Sequence, residues 1–139
     1  MDANILIYAF NKDAPQHRAA AYWIEGLFNG SEAVGLPWTT LWAFLRICTD
    51  ARVWPKPISV KDAFAAIHEW LDRPNLMIIH PGPRHAELLE ALVREGNASG
   101  PLVSDAALAA LAMENGAALA STDRDFSRFR DLRWTNPLE

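Results

Sequence analysis

Four aspartates stand in contexts where a carboxylate can do chemistry: Asp2, Asp105, Asp123 and Asp125. Asp2 stands beside a wholly apolar run, Ile5 to Phe10, in "MDANILIYAF". A carboxylate set against a future core costs several kcal/mol unless it is paired or metal-bound. No basic partner lies near it in sequence. Asp105 follows Ser104 in "LVSDAALAALAMENG", and Asp123 and Asp125 share "STDRDFSRF". Each of the later acids also has an ordinary role. Asp105 suits a helix N-terminus. Asp123 and Asp125 suit a turn with local backbone bonds. Jointly they suggest more, because carboxylates gathered in one place repel and raise one another's pKa. A hard divalent cation removes that repulsion. Mg²⁺ and Mn²⁺ favour oxygen ligands, and they can activate water for in-line displacement at phosphorus.

Other chemistries lack their signatures. His17, His68, His80 and His85 form no HxxxH pattern, and there is no CxxC, so zinc is not indicated. The chain has no GxSxG elbow and no P-loop. "DAN" matches half of an aspartyl-phosphatase DxD, without the second acid. The single cysteine, Cys48, lies in the apolar stretch "LWAFLRIC" and reads as a buried thiol. It can make no internal disulfide, which fits a reducing cytoplasm. Trp23, Trp42 and Trp70 sit at apolar helical spacings and read as core; Trp38 and Trp54 flank prolines and read as rim or interface.

Composition sets further bounds. The 139 residues are 50% hydrophobic and 22% charged, as in a soluble globular domain with a sizeable core. No apolar run approaches the roughly 18 residues that would span a bilayer, and no secretory leader is visible. A net charge of −4 argues against coating nucleic acid by bulk attraction. Ten of the 13 basic residues are arginine, which suits bidentate phosphate contacts.

The elements that must position the acids follow from periodicity and punctuation. Short helices are expected at "ILIYAF", capped by Asn4, and at "LWAFLRICTD", capped by Thr39 or Thr40. Longer ones are expected at "QHRAAAYWIEGLF", at "SVKDAFAAIHEWL" with Ser59 as cap, at "PGPRHAELLEALVREGN", and at the Ala-rich "LVSDAALAALAMENG" with a stop at Gly116. "AVGLP", "LMIIH", "AALAS" and "LRWT" read as strands, the second of a buried type. Strands separated by helices predict an α/β domain with a mostly parallel sheet flanked by helices. In such sheets ligands sit at the carboxyl ends of the strands. Asp123 follows the strand "AALAS", Asp105 lies near a helix start, and Asp2 would end a first strand if one precedes it.

The order Asp-x-Asn ("DANILIYAF"), then Ser-Asp with an Ala-rich helix, then Thr-Asp-x-Asp-Phe ("STDRDF") resembles the PIN-domain ribonucleases, specifically the VapC-type toxins of bacterial toxin–antitoxin pairs. The middle, "PWTTLWAFLRICTDARVWPKP", resembles the same branch, so the similarity covers essentially the whole chain. The resemblance implies a single PIN domain over residues 1–139 with a central parallel sheet. It also implies Mg²⁺- or Mn²⁺-dependent cleavage of RNA, a cognate antitoxin, and a homodimer with no membrane partner. By position, Asp2, Asp105 and Asp123 match the family's metal-site acids, Asn4 the polar residue after the first, and Thr122 the hydroxyl before the last. Asp125 would orient the attacking water or supply a missing charge, and Arg46, Arg124 or Arg128 would meet RNA phosphates. Two departures stand out. Only Met1 precedes the first acid, so the first strand is expected to be cut short. Ala43 occupies the position where the family pattern has a helical glutamate. A module that binds RNA or antitoxin without cutting is the alternative those departures favour.

Overall fold

Apolar residues recur at helical spacing through most of the chain, and six α-helices form there. The computed structural model describes residues 1–139. They sort into two compact units. Residues 3–78 with Met1 and Leu138 make the first; Asp2, residues 79–137 and Glu139 make the second.

The first unit runs α1 (Ala3–Phe10), α2 (His17–Asn29), β1 (Val34–Leu36), α3 (Trp38–Cys48), α4 (Val60–Leu71) and β2 (Leu76–Ile78). Helix α1 buries Ala3, Ile5, Leu6 and Ile7 and packs on α2 and α3. Phe44 of α3 is fully buried, with its ring edge-on to Phe10 at 5.7 Å and to Trp70 at 4.8 Å. β1 and β2 pair in parallel, Val34 against Leu76. The Asn75 side chain closes the α2–β1 connection by donating to the carbonyls of Leu27 and Glu32. Ser59 caps α4 as expected, its Oγ accepting from the Asp62 N–H at 3.1 Å.

Four local expectations fail here. Helix α1 starts at Ala3, so Asn4 lies within its first turn and does not cap it. Helix α3 starts at Trp38 behind an extended Pro37, which places Thr39 and Thr40 inside the helix. The Thr40 hydroxyl donates instead to the Met1 carbonyl at 3.0 Å. Trp42 is exposed, not core, and the buried face of α3 is Thr40, Leu41, Phe44 and Cys48. Positions 41, 44 and 48 hold one stripe of a 3.6-residue helix, whereas 42, 45 and 48 drift around it. Finally, β2 has one strand neighbour, and its central Met77 is exposed, so it is not a buried-type strand.

The second unit runs α5 (His85–Glu95), α6 (Leu102–Glu114), β3 (Leu119–Ala120), a 3₁₀ helix (Arg124–Arg128) and β4 (Trp134–Thr135). Its core gathers Leu92, Ala106, Ala109, Leu119, Phe126 and Phe129. Alanines on α6 permit close approach of α5, and Gly116 with φ +60° follows the helix end. β3 and β4 pair in parallel, Leu119 against Trp134. The backbone of Asp2 joins β3, its N–H donating to the Ala120 carbonyl at 2.9 Å. The α/β expectation is met, with the strands forming two parallel pairs, one in each unit. No helix is long and apolar enough to cross a membrane.

Candidate active site

The carboxyl end of β3 organises the acids of the second unit. Ser121 follows that strand and is fully buried. Its Oγ donates to Asp2 Oδ2 at 2.7 Å and accepts from the Asp123 N–H at 3.0 Å. One hydroxyl thus fixes the direction of Asp2 and the backbone of Asp123. Asp123 then caps the 3₁₀ helix, its Oδ1 accepting from the Asp125 N–H at 2.8 Å. Asp105 lies in the first turn of α6. One carboxylate oxygen from each of Asp105, Asp123 and Asp125 lies within 4.8 Å of the other two.

This convergence has an electrostatic consequence. Burial pushes the Asp105 carboxyl up to about 6, and the charges of Asp123, Asp2 and Asp125 push in the same direction. The Arg128 guanidinium opposes them. Arg128 is held by three bonds, donating to the Gly96 carbonyl at 2.9 Å, the Asp125 carbonyl at 3.1 Å and Asp125 Oδ1 at 3.2 Å. Position 96 must be glycine for this clamp, because a Cβ there would stand 2.7 Å from the Phe129 ring and 3.1 Å from Arg128 Cδ.

The four aspartates singled out in the sequence therefore meet within one unit, in two arrangements. Asp105, Asp123 and Asp125 converge on a common point. Asp2 is bonded to Ser121 and acts on Asp105 through its charge. Both ordinary readings of the later acids also hold in part. Asp105 is indeed at a helix N-terminus, and Asp123 is indeed a turn residue. Thr122 is half-buried between Ser121 and Asp123, and Asn4 is half-buried on α1. Of the candidate phosphate-binding arginines, Arg128 is committed to Asp125 and Gly96, Arg124 pairs with Glu139, and Arg46 is exposed on α3. Sequence reasoning missed Ser121 altogether. Its only local signal is a hydroxyl placed directly after a buried strand.

The donor set suits a hard cation. It holds only carboxylate oxygens, with no histidine or cysteine among them. Their oxygens lie within 4.8 Å of one another, so Asp105, Asp123 and Asp125 could together hold one such ion. Cys48 offers no competing nucleophile, since it is buried and its thiol is pushed up to about 11 by desolvation.

Comparison with known proteins identifies the family. The PIN domain profile matches residues 1–132. The chain is 42% identical over 137 residues to Ribonuclease VapC33 of Mycobacterium tuberculosis, covering 99% of this chain and 96% of that protein. It is 40% identical over 139 residues to Ribonuclease VapC43 of the same organism, covering 100% of this chain and 95% of the relative. It is 36% identical over 137 residues to that organism's Ribonuclease VapC37, with 99% and 95% covered. Among solved structures, VapBC2 from Rickettsia felis, bound to a DNA fragment from their promoter, shares the fold with a TM-score of 0.68 at 21% identity, covering 96% of this chain and 94% of that one. A profile match across nearly the whole chain, together with full-length relatives at this identity, makes the chain a member of the PIN-domain family.

Proposed function

We propose that this chain is the ribonuclease toxin of a VapBC-type toxin–antitoxin pair, a single PIN domain that hydrolyses RNA phosphodiester bonds with Mg²⁺ or Mn²⁺. The observation that carries the reading is the convergence of three carboxylate oxygens within 4.8 Å around an Asp105 whose ionisation is opposed by its neighbours. Asp105 and Asp123 would hold the ion, with Asp2 adding charge from its bond to Ser121. Bound there, the ion would supply Lewis acidity to the scissile phosphate and make a water nucleophilic. Asp125, bonded by Arg128, would orient that water. Ser121 keeps Asp2 and the Asp123 backbone in register, so the acids need little rearrangement when the cation enters. The converged acids count against the non-cleaving alternative, even with Ala43 on α3 in place of a glutamate.

The same reading implies a cognate antitoxin as partner, a homodimer, and action in the cytoplasm. The test is cleavage of a panel of structured RNAs with Mn²⁺ and with EDTA, in the wild type and in Asp105→Asn. Cleavage with Mn²⁺ alone, lost in the variant, is expected. Equal cleavage in EDTA, or full activity in Asp105→Asn, would overturn the metal-dependent mechanism.

A further inference from the structure

Two arginines of the 3₁₀ helix have opposite fates. Arg128 has a side chain only 28% exposed and is spent on the fold, donating to the Gly96 carbonyl, the Asp125 carbonyl and Asp125 Oδ1. The Arg124 side chain is 81% exposed, and neither of the acids that flank it in sequence, Asp123 or Asp125, forms an ion pair with it. Its one ion pair reaches 15 positions along the chain, Nη2 donating to Glu139 Oε1 at 3.0 Å.

The sheet explains how Glu139 comes to that place. β3 and β4 run in parallel, Leu119 against Trp134 and Ala120 against Thr135. The ladder continues for one more bond, from the Ser121 N–H to the Thr135 carbonyl at 3.1 Å, and the Trp134 indole N–H donates to the Ser121 carbonyl at 3.0 Å. Parallel strands release the residues that follow them at one edge. The stretch after Thr135 therefore leaves β4 at the edge where Ser121 to Asp125 leave β3. Bonding from the Arg124 guanidinium, with a smaller contribution from the Asn136 side chain, holds the Glu139 carboxyl below the usual carboxylate range.

Charge gives this pair a meaning. An RNA backbone that approaches three converged carboxylates is repelled, and a chain of net charge −4 offers no general attraction to offset that. The substrate needs a positive group at the acid site that the acids have not already consumed. Arg124 stands between two of them in sequence and is paired with neither. A guanidinium fork takes carboxylate and phosphate in the same geometry. With both side chains mostly in solvent, the Arg124–Glu139 pair is a weak one that a polyanion can displace.

We infer that Glu139 stands in for a phosphate of the RNA substrate on Arg124, and that entering RNA displaces this carboxylate and puts a backbone phosphate on the guanidinium. The inference rests on the ribonuclease reading. It adds to that reading the residue that grips the backbone beside the acids, and an internal competitor for the same grip.

The test is fluorescence anisotropy of a labelled, unstructured RNA oligonucleotide with the full chain at low salt, in EDTA so that no cleavage intervenes. Glu139→Gln should tighten binding about two- to threefold. Arg124→Gln should weaken it about tenfold and lower the salt slope by about one, while Arg124→Lys should keep more of the affinity. The deciding protein is Arg124→Gln/Glu139→Gln. It should bind as Arg124→Gln alone does, because Glu139 has nothing to compete for once the guanidinium is gone. A Glu139→Gln gain that survives in the Arg124→Gln background overturns the inference and leaves only an effect of net charge. Unaltered affinity in either single variant overturns it too, as does absence of binding by the wild type. Both positions are exposed, and equal melting temperatures verify the fold of every variant. Failure of the ribonuclease reading looks different: the four proteins then bind in the expected order, yet the wild type cleaves no RNA in Mn²⁺.

Discussion

Asp105→Asn is expected to stabilise the metal-free protein at neutral pH while destroying its response to Mn²⁺. The Asp105 carboxyl is raised from an ordinary 3.8 to about 6, first by burial and then by Asp123, Asp2 and Asp125. Between those two values the folded state holds a proton that the unfolded chain has released, so stability falls as pH rises through that window. Above about pH 6 the whole cost is present. Taken at full strength such a shift is worth roughly 3 kcal/mol. Asp105 is only half-buried, and screening by solvent reduces the figure to about 1–2 kcal/mol. Asparagine keeps the shape and removes the charge. For a chain of this size that corresponds to a melting temperature higher by roughly 3–8 °C at pH 7.5 in EDTA. The gap between variant and wild type should narrow below pH 6 and be mostly gone by about pH 4, where the wild-type carboxyl is protonated as well. Mn²⁺ should reverse the order at pH 7.5, because binding to the folded state stabilises only the wild type. Calorimetric melts of both proteins across pH, with EDTA and with Mn²⁺, read all of this. An Asp105→Asn protein that melts at or below the wild type at pH 7.5 in EDTA would refute the claim that Asp105 is held against the repulsion of its neighbours.

Three further outcomes follow from the same contacts. Ser121→Ala removes a buried hydroxyl that serves both Asp2 and Asp123, so it should cost about 1–3 kcal/mol of stability and weaken Mn²⁺ binding at least about tenfold in calorimetric titration. Unaltered Mn²⁺ affinity would remove Ser121 from the site. Arg128→Gln deletes the one cation that favours ionised Asp105, and carboxyl NMR should then find the Asp105 pKa higher still; a fall would show that Arg128 does not act on it. The Cys48 thiol, with its pKa pushed to about 11 by burial, should resist iodoacetamide in native buffer at pH 8 and react quickly in urea. Rapid native labelling would contradict the packing of α3.

The legible parts of this fold carry their cause within a few residues. Ser59 announces α4 because its hydroxyl is used three positions later, on the Asp62 N–H. Gly116 announces the end of α6 because the chain there adopts φ +60°. Asp2 is legible because an acid beside a wholly apolar run breaks the local pattern, and Asp105 and Asp123 join it because a parallel sheet flanked by helices sets all three at one edge. The residues that were misread answer to partners far along the chain. Thr39 and Thr40 both look like caps, yet Thr40 donates to the carbonyl of Met1. Trp42 looks like core because 42, 45 and 48 are spaced nearly as well as 41, 44 and 48, and only the packing of Phe44 between Phe10 and Trp70 decides between the two stripes. Ser121 meets Asp2 across 119 positions, and the hydroxyl after a buried strand does not by itself point to that partner.

The acid site is also where local consistency is given up, as functional sites commonly require. Burial and three neighbouring carboxylates act against ionised Asp105, and a protein selected for stability alone would not keep that arrangement. What limits the strain is specific. Ser121 donates to Asp2, the Asp123 side chain is half occupied by the Asp125 N–H, and Arg128 sets a positive charge against Asp125 from a seat shaped by Gly96. The bonds on Asp123 and Asp125 leave further carboxylate lone pairs able to accept, since an ionised carboxylate offers about four such sites. The apo protein is therefore held together without filling the coordination that a cation would use. Removing any one support should disturb the acids more than it disturbs the surrounding helices, whose packing through Ala106, Leu119 and Phe126 is independent of charge.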